Sequence, residues 1–150
     1  AKNGDKQVMV ADGVEGKAYA GVWSPIFSRD AKRLAYWVRP SPDFARQFVV
    51  VDGVEGKLYG SPMGGPIFSP DGKHFAYAAI QDGEARTEIV VVDGVECATQ
   101  SPLLYDPRFG MIDEPMHFTS PTNLLFSGIE INQGKEQRVG ISVDIKGANK

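Results

Sequence analysis

The residues of this chain best suited to chemistry come in threes. Asp12 with Glu15, Asp52 with Glu55 and Asp93 with Glu96 stand in a repeated Asp-Gly-Val-Glu segment. Clustered carboxylate oxygens are what a hard cation such as calcium requires, but each segment offers two carboxylates where an all-protein site takes roughly six or more oxygens. Asp-Gly is also the favoured pair for a two-residue hairpin loop, whose type I′ geometry needs positive φ at both positions. The segments are therefore expected to be turns that hold no metal, and Asp30 and Asp71 are expected to cap turns in the same way. The two histidines, His74 and His117, occupy non-equivalent places and read as partly buried polar residues rather than ligands. Cys97 stands where the other copies carry Gly16 and Gly56, with no companion base to make it a nucleophile. No Gly-x-Ser-x-Gly elbow, phosphate-binding glycine loop or His-Glu-x-x-His pair occurs. The expectation is no catalytic residue and no cofactor, with hydrolysis by His117 and Asp106 or Asp113 lacking any visible nucleophile.

The elements that must position these residues follow from internal repetition. Ala11-Asp12-Gly13-Val14-Glu15-Gly16-Lys17 returns as Val51-Asp52-Gly53-Val54-Glu55-Gly56-Lys57 and again as Val92-Asp93-Gly94-Val95-Glu96-Cys97. A second block, Ser24-Pro25-Ile26-Phe27-Ser28-Arg29-Asp30-Ala31-Lys32, returns as Gly65-Pro66-Ile67-Phe68-Ser69-Pro70-Asp71-Gly72-Lys73, and in degraded form from Glu114-Pro115-Met116-His117-Phe118. The aspartates at 12, 52 and 93 lie 40 and 41 residues apart, the prolines at 25, 66 and 115 lie 41 and 49 apart. Within one period Pro66 to Ser69, His74 to Ile80 and Thr87 to Val92 read as strands, and a weaker fourth follows through Ala98 and Thr99. Turn residues separate them, and no stretch shows helical periodicity. Four antiparallel strands in about 40 residues match the dimensions of a propeller blade.

Pro66-Ile67-Phe68-Ser69-Pro70-Asp71-Gly72-Lys73 followed by Phe75-Ala76-Tyr77 resembles the repeat of TolB-like, WD-related bacterial β-propellers. Arg29 and Ala31 depart from that turn in the first copy, as does Ser120-Pro121-Thr122-Asn123 in the third. The resemblance implies an all-β fold of four-stranded blades, a single repeat domain over residues 1–150 with junctions near 24, 65 and 114. It also implies a periplasmic or secreted setting. Such blades serve binding proteins and scaffolds, which implies an interaction module for a protein or small ligand. They also serve as accessory segments of larger peptidases or glycosidases, which is the alternative.

A binding surface is legible where the repeat breaks. From Asp to the following Pro takes 13 residues in the first copy, 14 in the second and 22 in the third, the excess falling between Ser101 and Glu114. That connection shares a face with the varied loops Arg39 to Arg46, Gln81 to Arg86 and Ile129 to Glu136. The face would present Trp23, Arg39, Phe44, Arg46, Tyr105, Asp106, Arg108, Phe109 and Asp113, and aromatics beside charged groups suit recognition. The other reading makes Tyr105, Phe109 and Met111 a lid folded back onto the blade. A formal net charge of −3 gives no basic field for nucleic acid, and no apolar run is long enough for a membrane helix.

Packing expectations follow from the same pattern. Phe27, Phe68, Tyr36, Tyr77, Val49, Val51, Ile89 and Val91 are expected to face inward. The strands amount to about three and a quarter blades, fewer than the four or so that propellers use. The chain is therefore expected not to close a ring alone. A homodimer closing a six-bladed ring by strand exchange, further blades in a longer polypeptide and a distorted closure are the three remedies.

Overall fold

The computed structural model describes residues 2–3, 6–42, 45–81, 88–98, 105–106, 110–111, 116–132 and 135–145. In chain order the strands are β1 (Lys2–Asn3), β2 (Lys6–Ala11), β3 (Val14–Tyr19), β4 (Gly21–Phe27), β5 (Leu34–Arg39), β6 (Phe48–Val51), β7 (Val54–Glu55) and β8 (Ser61–Phe68). They continue as β9 (Phe75–Ile80), β10 (Glu88–Val92), β11 (Val95–Ala98), β12 (Tyr105–Asp106), β13 (Gly110–Met111), β14 (His117–Ser120), β15 (Asn123–Asn132) and β16 (Lys135–Asp144). No helix occurs among the described residues, so the all-β expectation holds there. Every pairing is antiparallel between sequence neighbours: β1-β2-β3, β4-β5-β6-β7, β8-β9-β10-β11 and β14-β15-β16, termed the first to fourth sheets, plus the β12-β13 pair.

β6 reads Phe-Val-Val-Val and β10 Glu-Ile-Val-Val-Val, and every residue of both is buried. Continuous burial means both faces of the sheet are covered, so the two side-chain sets of a strand go to different neighbours. Tyr36, Val38, Phe48 and Val50 of the second sheet pack with Tyr19 and Met9 of the first. Ala35, Trp37, Val49 and Val51 pack with Tyr77, Ala79, Ile89 and Val91 of the third. Ala76, Ala78, Val90 and Val92 then pack with Leu124 and Phe126 of the fourth and with Met116, which immediately precedes β14. The sheets are thus stacked face to face, with an apolar layer in each gap. The expected inward set is corrected at Phe27, which is 53% exposed at the end of β4; Tyr36 and Tyr77 are both buried as expected, in successive layers.

Two turn designs repeat. Asp12-Gly13, Asp52-Gly53 and Asp93-Gly94 all have positive φ at both residues and join strands in the two-residue register Ala11↔Val14, Val51↔Val54 and Val92↔Val95. That is type I′ geometry, as expected from Asp-Gly. In the other turn the buried Ser28 donates its hydroxyl to Asp30 Oδ1 at 2.7 Å and accepts from the Arg33 N–H at 3.0 Å. Ser69, Asp71 and His74 repeat those bonds at 2.7 and 3.0 Å. The serine hydroxyl, first among the causes, holds both aspartates below the usual carboxylate range. The fully bonded Ser-x-Asp frame explains why the first copy keeps the turn without glycine: Ala31 takes φ 57 where Gly72 takes φ 73. A left-handed alanine costs about 1 kcal/mol relative to glycine.

Between sheets, polar contacts also repeat, with one gap. Gln7 Oε1 accepts from the Val22 N–H at 2.8 Å, tying the first sheet to the second. Its counterpart Gln47 has a buried Oε1 without a partner among the described residues. The pairs Val22↔Val38 and Pro62↔Ala79 place Pro62 where the donor should be, and proline has no N–H. An orphaned buried acceptor costs about 1–3 kcal/mol.

Candidate functional site

In the second and third hairpin loops the Asp does more than turn the chain. Asp52 Oδ1 accepts from the Leu34 N–H at 2.9 Å and Oδ2 from Arg33 Nε at 2.8 Å. Asp93 Oδ1 accepts from the Phe75 N–H at 2.9 Å, and Oδ2 lies 2.6 Å from His74 Nδ1. In the fourth sheet Asn123 Nδ2 donates to Asp144 Oδ1 at 2.6 Å. These carboxylates are engaged by their own sheets, and His74 has a structural partner in Asp93. Arg33 goes further, donating Nη1 to the carbonyls of Gly72 and Lys73 at 3.0 and 2.7 Å and lying 5.1 Å from the Phe68 ring centroid. It therefore joins the second sheet to the third.

The Glu of the second and third loops reaches the preceding sheet. Glu55 Oε1 accepts from Lys17 Nζ at 2.7 Å and Tyr19 Oη at 2.8 Å, and Glu96 Oε1 accepts from Lys57 Nζ at 2.7 Å and Tyr59 Oη at 3.1 Å. The lysine bonds, and then the phenol bonds, hold Glu55 below its ordinary range; Glu96 is lowered first by Lys57. Burial, reinforced by the adjacent carboxylates and phenols, holds Tyr19 and Tyr59 well above the ordinary phenol range, so both remain donors. The sequence carries a signal for this clasp, the recurrence of Gly16-Lys17-Ala18-Tyr19 as Gly56-Lys57-Leu58-Tyr59, although neither lysine nor tyrosine at that spacing forms a catalytic motif.

These contacts surround a groove of about 440 Å³ between the second and third sheets. Its apolar lining is Val49, Val51, Val54, Phe75 and Tyr77, and its polar lining includes Arg33, Asp52, Glu55, Lys57 and Asp93. Four of those five ionic groups have an opposite partner, Arg33 with Asp52, Lys57 with Glu96 and Glu55 with Lys17, and Asp93 lies within hydrogen-bond distance of His74 Nδ1. A second cleft of about 370 Å³ crosses the leading strands β4, β8 and β14, with Ile26, Phe27, Ile67, Phe68, Met116 and Phe118 beside Arg29 and His117.

Of the residues expected on the varied face, Trp23 sits inside β4, half-buried against the layer between the second and third sheets. Arg39 ends β5 opposite Gly21, and Arg46 is exposed beyond the loop that follows. Tyr105 and Asp106 form β12, paired with Met111 and Gly110. Phe44, Arg108, Phe109 and Asp113 lie outside the described residues. The groove opens on the opposite end of the sheets, among the repeated turns.

Cys97 has a packing explanation. A Cβ on Gly56 would lie 3.1 Å from the Val49 carbonyl and in contact with the Tyr77 hydroxyl at 3.6 Å, and one on Gly16 would lie 3.4 Å from the Met9 carbonyl and 3.5 Å from the Tyr36 hydroxyl, so an added sulfur beyond the Cβ has the hydroxyl as its neighbour. In the next gap the ring in the tyrosine's place is Phe126, and the missing hydroxyl leaves room for Cys97, which packs on that layer. Burial raises its thiol above the ordinary range. Phe126→Tyr is expected to destabilise by about 1–2 kcal/mol through overpacking. Cys97→Gly in the same chain is expected to recover most of that loss, a coupling measurable by a double-mutant cycle in urea.

No family model, no curated protein and no solved structure matches the chain.

Proposed function

We propose that this chain is a non-enzymatic binding module made of propeller-type blades similar to the TolB-like repeat. Three features support the blade reading: four-stranded sheets in sequence order, face-to-face stacking, and β4 packed along β8 at the inner edge, as in sheets fanned around an axis. The observation that carries the function is the groove between the second and third sheets. Its volume falls in the range of ligand pockets, its floor is apolar, and its ionic groups are fixed in pairs. Such a site suits an apolar side chain of a peptide or a small apolar ligand, held without chemistry. The varied loops at the other end of the sheets offer a second contact surface.

The test is a random-peptide display selection on the immobilised chain. Val54 lines the groove and is 71% exposed, so Val54→Arg changes the site with little effect on stability. Binders seated in the groove are expected to weaken about tenfold, equivalent to roughly 1.4 kcal/mol. Binders of the loop face should respond instead to Tyr105→Ala with Arg108→Ala. Peptides indifferent to both changes, or cleaved during selection, would count against the proposal.

A further inference from the structure

We infer that the back of the first sheet docks one more β-sheet of this repeat type, whose outer strand carries Gly-Lys-x-Tyr. The inference rests on the stacking of the sheets and not on the groove. In the second and third sheets the back face pairs a buried valine with a clasped glutamate, Val50↔Glu55 and Val91↔Glu96. Val50 is 1% exposed and Val91 0%, and each glutamate receives a lysine and a tyrosine from the sheet behind. The same register in the first sheet gives Val10↔Glu15. There Val10 is 42% exposed, and Glu15 is exposed with no partner among the described residues. Val8, on the same face, is buried, so the open part is the half nearest the turn.

A half-exposed valine beside a carboxylate unpaired among the described residues is the acceptor half of the clasp seen twice elsewhere. Its complement is an ammonium, a phenol hydroxyl and an aromatic ring at Lys-x-Tyr spacing. Both such segments of this chain are already engaged with Glu55 and Glu96. The third sheet carries Cys97-Ala98-Thr99-Gln100 in that place, which supplies neither lysine nor tyrosine. A second copy of these residues therefore has no free complement to offer, and the occupant is a sheet from other sequence.

The surface can be tested by joining a second copy of residues 21–80 ahead of Asn3. Ile80 faces Glu88 as Lys2 faces Gln7, and Glu88 and Gln7 hold the same place in the repeat, so the junction keeps register. The addition supplies the first sheet with leading strands and sets a Lys57-x-Tyr59 strand behind Glu15. In the original chain Glu15→Gln should shift the melting midpoint by less than about 1 °C. In the extended chain it should lower it by about 3–5 °C, and this effect should vanish once the added copy carries Lys57→Met and Tyr59→Phe. An equal effect of Glu15→Gln in both chains would overturn the inference. Should the extended chain not fold, a cyclised hairpin peptide of residues 46–60 titrated onto the original chain serves instead. Its amide shifts should centre on Val10 and Glu15, and Glu15→Gln should weaken it at least fivefold; unchanged binding, or none, refutes the surface. Sedimentation of the original chain as a dimer that Glu15→Arg splits would assign the face to a second copy, and equally overturn it.

Discussion

Trp37→Ala is expected to destabilise the chain by roughly 3–5 kcal/mol, lowering the melting midpoint by about 10 °C. Trp37 is completely buried and belongs to the layer between the second and third sheets. Its ring meets Tyr77 edge-on at 5.3 Å, and its Nε1 donates to the Gly64 carbonyl at 3.0 Å. Gly64 has φ 84 and lies where β8 shifts register between Met63 and Ile67, so its carbonyl depends on a partner from outside its own ladder. Truncation therefore opens a cavity and orphans an acceptor together. Trp37→Phe separates the two, keeping most of the volume while removing the donor, and should cost about 1–2 kcal/mol. Differential scanning calorimetry measures both. A Trp37→Ala midpoint within about 3 °C of the parent would mean the two sheets do not pack through this residue.

The second large effect comes from comparing one residue type in equivalent turns. Asp52→Gly is expected to cost about 2 kcal/mol, and Asp12→Gly close to nothing. Glycine accepts the left-handed backbone of both positions, φ 52 and φ 50, so the substitution removes the carboxylate without adding strain. Asp52 loses its bonds to the Leu34 N–H and to Arg33, and Arg33 in turn bridges to Gly72 and Lys73. The pair is partly exposed, with Asp52 at 39%, so solvent screening keeps the figure at the lower end for charge-assisted bonds. Asp12 has no such bonds among the described residues. Urea denaturation of the two variants beside the parent decides the matter. Equal losses would show that the aspartates serve the hairpin loops alone.

The sequence by itself determined what is local or strictly periodic. Asp-Gly specified the two-residue loops because positive φ is a property of those residues, and β-branched runs such as Phe48–Val51 specified strands. The return of both blocks at one spacing specified repeated sheets in chain order. The varied loops were legible as a break in that spacing, although Phe44, Arg108, Phe109 and Asp113 fall outside the described residues. Tertiary structure alone decided which residues meet across the gaps between sheets. Alternation along a strand says that two faces exist and not which neighbour covers each, so Tyr36 and Tyr77 read alike yet enter different layers. Asp52 reads as a turn residue, and only the position of Arg33 reveals where its carboxylate goes. Cys97 reads as an unexplained exception until Phe126, 29 residues on, is found in the tyrosine's place. The physical reason is common to all three. Backbone geometry is set within a few residues, whereas contacts across a gap depend on the register of sheets about 40 residues apart in the chain, which stacking alone fixes.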